Sequence, residues 1–276
     1  MIVGWKEVRI MDLGEVVTGN TPPRKRPELY GKHTLFIKPT DINLEEKFCY
    51  NPDESYSIEG FEKYKKSLIP KESSCVVTIG SIGKKMIMAH TDLFINQAMN
   101  AVIPNDRYDK NFVYYLLKLN LFQLKTFDSG TASGRENVSK SSFSRIKVFV
   151  PESKDTQRKI ATILSAYDDL IENNLKRIKL LEEKAQLTYE EWFVRMKFPG
   201  HEKVKIDEET GLYEGWERVE LQKVAEINSK SLKKGFNEEI EYIDIASVSP
   251  GYISGTTKFQ HTNAPGRAKR IVRHGV

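Results

Sequence analysis

The residues best suited to chemistry in this chain are cations and hydrogen-bond donors grouped in short polar segments of its first half. Arg and Lys suit phosphate oxygens, while Asn, Ser, Thr and Arg suit the edges of bases, so these residue types favour double-stranded DNA as a ligand. All of the net charge of +5 lies in residues 1 to 154, which agrees with a polyanionic ligand. Each group alone fits a solvated surface better than a contact, and it is their coincidence in the basic domain that favours DNA. The candidate DNA-binding residues are Arg24, Lys25, Arg26, Lys38, Thr40, Ser81, Lys84, Lys85, Arg135, Asn137, Ser139 and Lys140.

Signatures of catalysis and of metal binding are missing. The segment 80–85 resembles the end of a phosphate-binding loop, but it lacks the first glycine at the required spacing and the hydroxyl residue after the lysine. The five histidines form no metal-ligand spacing with one another or with Cys49 and Cys75. Motifs of amino-methyltransferases and of the common nuclease core are absent as well. We therefore predict no catalytic residues, no metal and no cofactor in this chain.

The chain has the composition of an ordinary globular protein. Its apolar fraction of 39% is enough for packed cores, and no stretch approaches the roughly 18 uninterrupted apolar residues that a membrane span requires. The beginning lacks the apolar stretch of a signal peptide. We therefore expect a cytoplasmic protein without a membrane partner.

The polar segments must be positioned by a mixed, strand-rich domain over residues 1 to 154. Apolar residues at helical spacing predict one amphipathic helix over residues 112–127, and the polar segment 129–137 is predicted to be a loop. Strands are predicted where short β-branched or aromatic runs are bounded by Gly, Pro or Asn, at residues 34–37, 74–79, 85–88 and 146–150.

From Asp155 onward the apolar pattern becomes a heptad repeat. Spacings of four and three alternate over more than four heptads, which predicts a long coiled-coil helix that requires a helical partner. Asn174 suits a polar contact that sets the register, although a tolerated polar residue fits the pattern equally. The predicted helix-pairing residues are Ile160, Leu164, Tyr167, Ile171, Asn174, Ile178, Leu181, Ala185 and Trp192, with Thr188 as a second polar position.

The opening of the chain is repeated after the helix. Residues Gly4–Ile10 return as Gly215–Leu221, and Phe36–Ile42 is echoed by Tyr242–Val248, both at a spacing of about 210 residues. A nearly constant spacing predicts a second copy of the first domain. The stretch that follows Gly215 is less than half as long as the first copy, so we expect this second copy to be truncated.

Three segments carry a resemblance to a known family. Residues 13–23, residues 36–42 and, most specifically, the stretch from Gln157-Arg158-Lys159-Ile160 to Ile171-Glu172-Asn173-Asn174 strongly resemble the specificity subunit of type I restriction-modification systems. The resemblance covers the whole chain. It implies two target recognition domains, each followed by a long spacer helix, with the two helices pairing antiparallel and each domain reading one half of a split DNA target.

The resemblance also implies the partners. Modification subunits would transfer methyl from S-adenosylmethionine to adenine N6, and a restriction subunit would cleave DNA with ATP and Mg²⁺, so none of that chemistry resides in this chain. The expected organisation is α+β: a target recognition domain (1–154), a coiled-coil spacer helix (155–198), a connector (199–214) and the N-terminal part of a truncated second recognition domain (215–276). Because the second spacer helix is absent, we expect another copy or a separately encoded half to supply it.

Two other readings stay open at this point. The heptad helix alone would suit a scaffold that tethers partner proteins without reading DNA, and a truncated second copy would suit an inactive gene fragment. An enzyme with an unrecognised active site is a third class, but no residue of the sequence nominates such a site. A DNA titration separates a DNA-recognition subunit from a scaffold, since DNA binding by the first domain should weaken with rising salt.

Overall fold

The computed structural model describes residues 3–44, 46–130, 134, 136–226, 230–232, 236, 238–249, 251–266, 268 and 270–272. The chain divides into two compact units, Met1–Thr188 and Tyr189–Val276. Helices and sheets are both present, so the predicted α+β class is confirmed. Within these described ranges, no helix is long and apolar enough to cross a membrane.

The first unit is built from nine strands and five helices within the described residues. They are β1 Trp5–Arg9, α1 Ile10–Leu13, β2 Gly14–Thr18, β3 Tyr30–Ile37, β4 Glu54–Tyr56, α2 Ile58–Tyr64, β5 Ser74–Val77, β6 Met86–Met88, β7 Phe94–Ile95, β8 Met99–Pro104, α3 Lys110–Asn120, α4 Lys140–Arg145, β9 Lys147–Pro151 and α5 Lys154–Tyr189. All four predicted strands are confirmed, with ends that differ by a few residues.

Three sheets organise these strands. Strands β2, β8, β5 and β6 form a four-stranded antiparallel sheet in that order. Strand β3 lies between β4, to which it is antiparallel, and β7, to which it is parallel. Strands β1 and β9 pair separately, so the beginning of the chain closes against the segment that leads into α5.

The core lies between the four-stranded sheet and α3. Strand β5 is buried along its whole length, as expected for an inner strand covered on both faces. On α3, Val113, Tyr114 and Leu117 are buried in the same hydrophobic cluster as Leu13 and Val148. This apolar face explains why the helical periodicity of this segment is visible in the sequence.

The helix predicted over residues 112–127 is confirmed only in part. The α-helical turns end at Asn120, and residues Leu121–Phe127 continue as a 3₁₀-helix. The side-chain amide of Asn120 donates to the carbonyl oxygen of Leu116 at 2.7 Å, and such side-chain bonds compete with the backbone ladder at a helix end. The 3₁₀ segment keeps Leu121 and Leu124 buried, so the apolar pattern continues after the α-helix has stopped.

The long helix predicted from Asp155 is confirmed. Helix α5 has 36 residues, and only Gln157 and Ala161 are buried along it. A π-helical turn, Glu190–Val194, follows it in the second unit. Helical structure stops there because Met196 takes a positive φ of 58°, which no right-handed helix accommodates.

The repeated sequence segments share part of their local structure in the second unit, although residues 216–220, which correspond to β1, form no strand. Its elements are α6 Leu221–Val224, β10 Glu239–Tyr242, a 3₁₀ turn Ile245–Ser247, β11 Val248–Ser249, β12 Tyr252–Ile253 and β13 Thr257–Gln260. Helix α6 corresponds to α1, the 3₁₀ turn corresponds to Pro39–Asp41 of the first unit, and β10 pairs antiparallel with β13 as β3 does with β4. Ile10 and Leu13 of α1 are buried, whereas Leu221 and Val224 of α6, which correspond to them, are exposed.

Candidate nucleic-acid interface

Four strand ends meet at one edge of the four-stranded sheet. Its strands are antiparallel, so β2 and β5 end where β8 and β6 begin. The register pairs Thr18 with Asn100 and Val77 with Met99, which places the following loops side by side. We name this surface the loop edge, and it comprises segments 19–26, 38–41, 78–85, 96–98, 128–130 and 136–139.

The segment after β2 is joined to the turn before β8. The amide of Gly19 donates to the carbonyl oxygen of Met99 at 3.1 Å, and the amide of Asn20 donates to that of Ile95 at 2.9 Å. Glycine is needed at this crossing, because a Cβ on Gly19 would lie 2.1 Å from the carbonyl oxygen of Asn96. The two backbones therefore approach as closely as their atoms allow.

The β5–β6 turn is joined to the segment before α4. The amide of Gly80 donates to the carbonyl oxygen of Glu136 at 2.9 Å, and the amide of Val138 donates to that of Thr78 at 2.8 Å. On its other side, the amide of Thr78 donates to the carbonyl oxygen of Ala98 at 2.8 Å. The turn that carries Ser81, Lys84 and Lys85 is thus held between two neighbouring segments.

A row of polar side chains crosses the sheet just beneath the loop edge. The hydroxyl of Thr18 donates to Asn100 Oδ1 at 2.6 Å, and Asn100 Nδ2 donates to the hydroxyl of Thr78 at 2.8 Å. Asn100 is buried, so these bonds satisfy an amide that would otherwise be costly to remove from water. The row fixes the ends of three adjacent strands.

The loop before α4 is closed by Asp128. Its Oδ1 accepts from the amide of Asn137 at 2.7 Å and from that of Gly130 at 2.8 Å. These bonds stabilise the ionised carboxylate, so they hold the pKa of Asp128 below its ordinary value. Ser139 then caps α4, because its hydroxyl accepts from the amide of Ser142 at 3.1 Å.

The turn after β3 also reaches the loop edge. The amide of Asn96 donates to the carbonyl oxygen of Ile37 at 3.0 Å, and Lys85 Nζ donates to that of Pro39 at 2.9 Å. Lys38 and Thr40 flank Pro39, so this predicted pair lies beside the predicted pair Lys84 and Lys85. Sequence order gave no reason to place these two groups together.

Part of the positive charge at this surface is neutralised by carboxylates. Arg24 forms a bidentate pair with Glu54, and Lys38 Nζ lies 3.5 Å from the same carboxylate. The hydrogen bond from Arg24 is the main reason why the pKa of Glu54 is lowered. Arg26 pairs with Glu28 at 2.6 Å and with Glu59 at 3.3 Å.

The remaining cations of the loop edge, and Lys140 directly after its last segment, are exposed to solvent. Lys25, Lys84 and Lys140 are exposed, and no ion pair of theirs is found within the described part of the chain. Arg135 lies outside the described residues.

Contacts connect the segments that carry Lys38, Lys85 and Asn137 at the loop edge, and the shared carboxylate of Glu54 connects Arg24 with Lys38. Their contact with DNA stays a prediction.

Sequence reasoning missed polar residues at the same surface. Gln97 is exposed and forms a hydrogen bond with Thr21. The side chain of Lys125 lies beside Gly83, because a Cβ built on Gly83 would be 3.5 Å from Lys125 Cγ. The signal for Gln97 was the polar pair Asn96-Gln97 between two apolar runs. Lys125 gave no signal, because it belongs to a segment whose pattern is that of a helix.

The predicted helix-pairing residues form an exposed stripe on the long helix. Ile160 is half-buried and packs against the core of the first unit, whereas Asn174 and Ala185 are exposed. The large members on α5, Leu164, Tyr167, Ile171, Ile178 and Leu181, are between 39% and 65% exposed, and Trp192, in the π-helical turn of the second unit, is 39% exposed. An apolar stripe of this length on one helix is typical of a coiled-coil partner surface.

Comparison with known proteins places the chain in one family. The family model for the type I restriction modification DNA specificity domain matches residues 2–183. The type I restriction enzyme MjaIX specificity subunit of Methanocaldococcus jannaschii is 30% identical over 230 residues, which cover 82% of this chain and 53% of that protein. The HindI specificity subunit of Haemophilus influenzae is 28% identical over 185 residues, which cover 65% of this chain and 39% of that protein.

The fold has a counterpart among solved structures. The S subunit of the type I restriction-modification system from M. genitalium superimposes with a TM-score of 0.55 and 18% sequence identity, over 70% of this chain and 46% of that chain. The chain thus spans about half the length of the relatives it matches, or less. On the match over residues 2–183, the chain belongs to the type I restriction modification DNA specificity domain family.

Proposed function

We propose that this chain is the DNA-recognition subunit of a type I restriction-modification complex. It is not catalytic itself, and it directs adenine methylation and DNA cleavage by partner subunits. The observation that supports this proposal is the loop edge, where separate polar segments are held together by backbone hydrogen bonds in a chain of this family.

The loop edge supplies both kinds of contact that a DNA reader needs. The exposed ammonium groups of Lys25, Lys84 and Lys140 suit phosphates, which position a protein on the duplex. The amides of Gln97 and Asn137 and the hydroxyl of Ser81 suit base edges in a groove. Rigid support matters because base readout requires donors that hold their positions.

The proposed organisation follows the family. Residues 1–154 form the first target recognition domain, 155–198 the spacer helix, 199–214 a connector, and 215–276 belong to a second recognition domain. The exposed stripe of α5 pairs with a second spacer helix. Modification subunits bring S-adenosylmethionine, a restriction subunit brings ATP and Mg²⁺, and the complex works in the cytoplasm.

A salt titration tests DNA binding. The probe is a fluorescein-labelled duplex of random sequence, about 30 base pairs long, followed by fluorescence anisotropy at several salt concentrations. The logarithm of the association constant should fall linearly with the logarithm of salt, with a slope of about 0.9 per phosphate neutralised. Lys84→Ala should reduce that slope by about one.

The matched control is Lys71→Ala. Lys71 is also an exposed lysine in a turn next to β5, but it precedes the strand and so lies at the opposite edge of the sheet. The control should bind as the unchanged chain does. Binding without salt dependence, or equal losses in both variants, would contradict DNA recognition by the loop edge and would favour a helical scaffold.

A further inference from the structure

A buried lysine lies between helices α3 and α5 of the first unit. Lys47 is 8% exposed, and its backbone carbonyl accepts from the amide of Met88 at 2.8 Å, which fixes it to β6. Its ammonium donates to Asn111 Oδ1 at 2.9 Å and to the hydroxyl of Tyr115 at 3.2 Å, both on α3. A third bond, at 3.4 Å, reaches the hydroxyl of Ser165 on α5.

Burying the ammonium of Lys47 costs free energy, and filling space in the core does not require a lysine. Burial lowers the pKa of Lys47, and the nearby carboxylates of Asp168 and Asp169 oppose that shift only in part. The rings of Tyr114 and Tyr115 face the ammonium at 5.4 Å and 5.0 Å. An apolar side chain of similar volume would usually be neutral or stabilising here. The lysine instead fixes the orientation of α5 relative to α3, because its three hydrogen bonds to the two helices require one arrangement of their partners.

Two tyrosines extend the same contact along α5. The hydroxyl of Tyr115 donates to Asp168 Oδ2 at 2.7 Å, and that of Tyr50 donates to Glu172. Ser165, Asp168 and Glu172 are spaced i, i+3 and i+7, so they lie on one face of the helix over two turns. We name these contacts of Lys47, Tyr50 and Tyr115 the clasp.

The clasp attaches α5 farther along its length than the contacts near its start. Near the start, Ile160 and Ala161 pack in the hydrophobic core, and the buried Gln157 accepts from the amide of Asp109 at 2.9 Å while donating to the carbonyl oxygen of Pro151 at 3.0 Å. One attachment point leaves a helix free to pivot, whereas two points along its length define its direction. At 3.6 residues per turn, the clasp face and the helix-pairing stripe lie roughly 100° apart, so the clasp leaves that stripe uncovered.

We propose that Lys47 is a positioning residue that, with Tyr50 and Tyr115, sets the direction of α5 relative to the loop edge. From Ser165 to the end of the unit at Thr188 the helix extends about 35 Å, at 1.5 Å per residue. A change of about 10° at the clasp would move its far end by roughly 6 Å, close to two base-pair steps of DNA. The consequence for DNA rests on the proposed function: the clasp would set the distance between the DNA contacts of this unit and those of a partner bound along α5.

A distance measurement on the full chain tests the clasp. Spin labels are attached through Lys32→Cys on β3 and Glu183→Cys on α5, both exposed, while the native Cys49 and Cys75 are buried. Lys47→Met keeps the length and packing of the side chain but removes its hydrogen bonds. The distance distribution between the labels should shift by several ångströms or become at least about twice as broad.

Two further measurements make the result decisive. Lys66→Met, at an exposed position of the same unit, should leave the distribution unchanged. An unchanged distribution in a folded Lys47→Met variant would overturn the proposal. If that variant does not fold, Tyr50→Phe carries the test, since it removes a single hydroxyl. The affinity for the random duplex, measured by anisotropy, should change by less than about twofold in the Lys47→Met variant. If the unaltered chain binds no DNA, the proposed function is refuted, but the clasp proposal is not.

Discussion

Replacing Gly19 by alanine tests the close approach that joins two segments of the loop edge. The new Cβ would lie 2.1 Å from the carbonyl oxygen of Asn96 and 2.2 Å from that of Ile95, whereas ordinary contact begins at 3.4 Å. Both obstacles are backbone carbonyl oxygens, that of Ile95 at the end of β7 and that of Asn96 in the turn before β8. No flexible side chain can therefore move aside to make room. The segments must separate by about 1 Å.

The expected cost follows from what that separation breaks. Overpacking against backbone costs about 1–3 kcal/mol. The hydrogen bonds from Gly19 to Met99 and from Asn20 to Ile95 would be weakened or lost, at about 1 kcal/mol each. We therefore expect Gly19→Ala to lower the free energy of unfolding by about 3–5 kcal/mol.

Urea denaturation followed by circular dichroism measures this change, with Gly80→Ala as the control. Gly80 has a φ of +88° and nothing within 4 Å of its Cβ position, so alanine there meets strain but no collision. The expected cost is about 1–2 kcal/mol, the penalty of a left-handed backbone. Equal losses of stability in the two variants would refute the argument from close approach.

Three shorter predictions concern other parts of the chain. Gln157→Ala removes the side-chain partner of the buried carbonyl of Pro151 and of the part-buried amide of Asp109, and it should cost about 2–4 kcal/mol of unfolding free energy in urea. The exposed Lys159→Ala should change that free energy by less than about 0.5 kcal/mol. Because the pKa of Glu54 in the folded protein lies below its ordinary value of 4.5, the ionised carboxylate stabilises the fold at any pH above 4.5. This stabilisation is lost as the pH falls through the folded pKa. Glu54→Gln should therefore flatten the acid limb of a pH–stability profile and, by releasing Arg24, tighten binding to the random duplex. Ile178→Asp should abolish any self-association detected by light scattering, with the helical circular dichroism of the unit retained.

Periodic and punctuated parts of the fold were predictable from the sequence. The heptad spacing from Ile160 predicted α5 because a long exposed helix shows its pattern without interference from tertiary packing. Strands β3, β5, β6 and β9 were predictable from β-branched runs bounded by Gly and Pro. The repeated segments predicted a second copy of the first domain, and that organisation stays a prediction.

Contacts between distant segments were not predictable in the same way. The end of α3 at Asn120 depends on one side-chain hydrogen bond, which no periodicity records. The meeting of residues 38–41 with the β5–β6 turn depends on the parallel pairing of β3 with β7. Lys47 lay in a polar stretch and gave no sign of burial, because its partners are more than sixty residues away in the chain.

The two separate faces of α5 have a consequence for how such a protein diverges. The clasp holds α5 through a few polar side chains on one face of the helix, while the exposed apolar stripe lies on another. If the loop edge reads DNA and the stripe binds a partner, as proposed above, substitutions in the loops would alter target preference and leave assembly intact, and substitutions in the stripe would do the reverse. Selection could then act on the two properties independently.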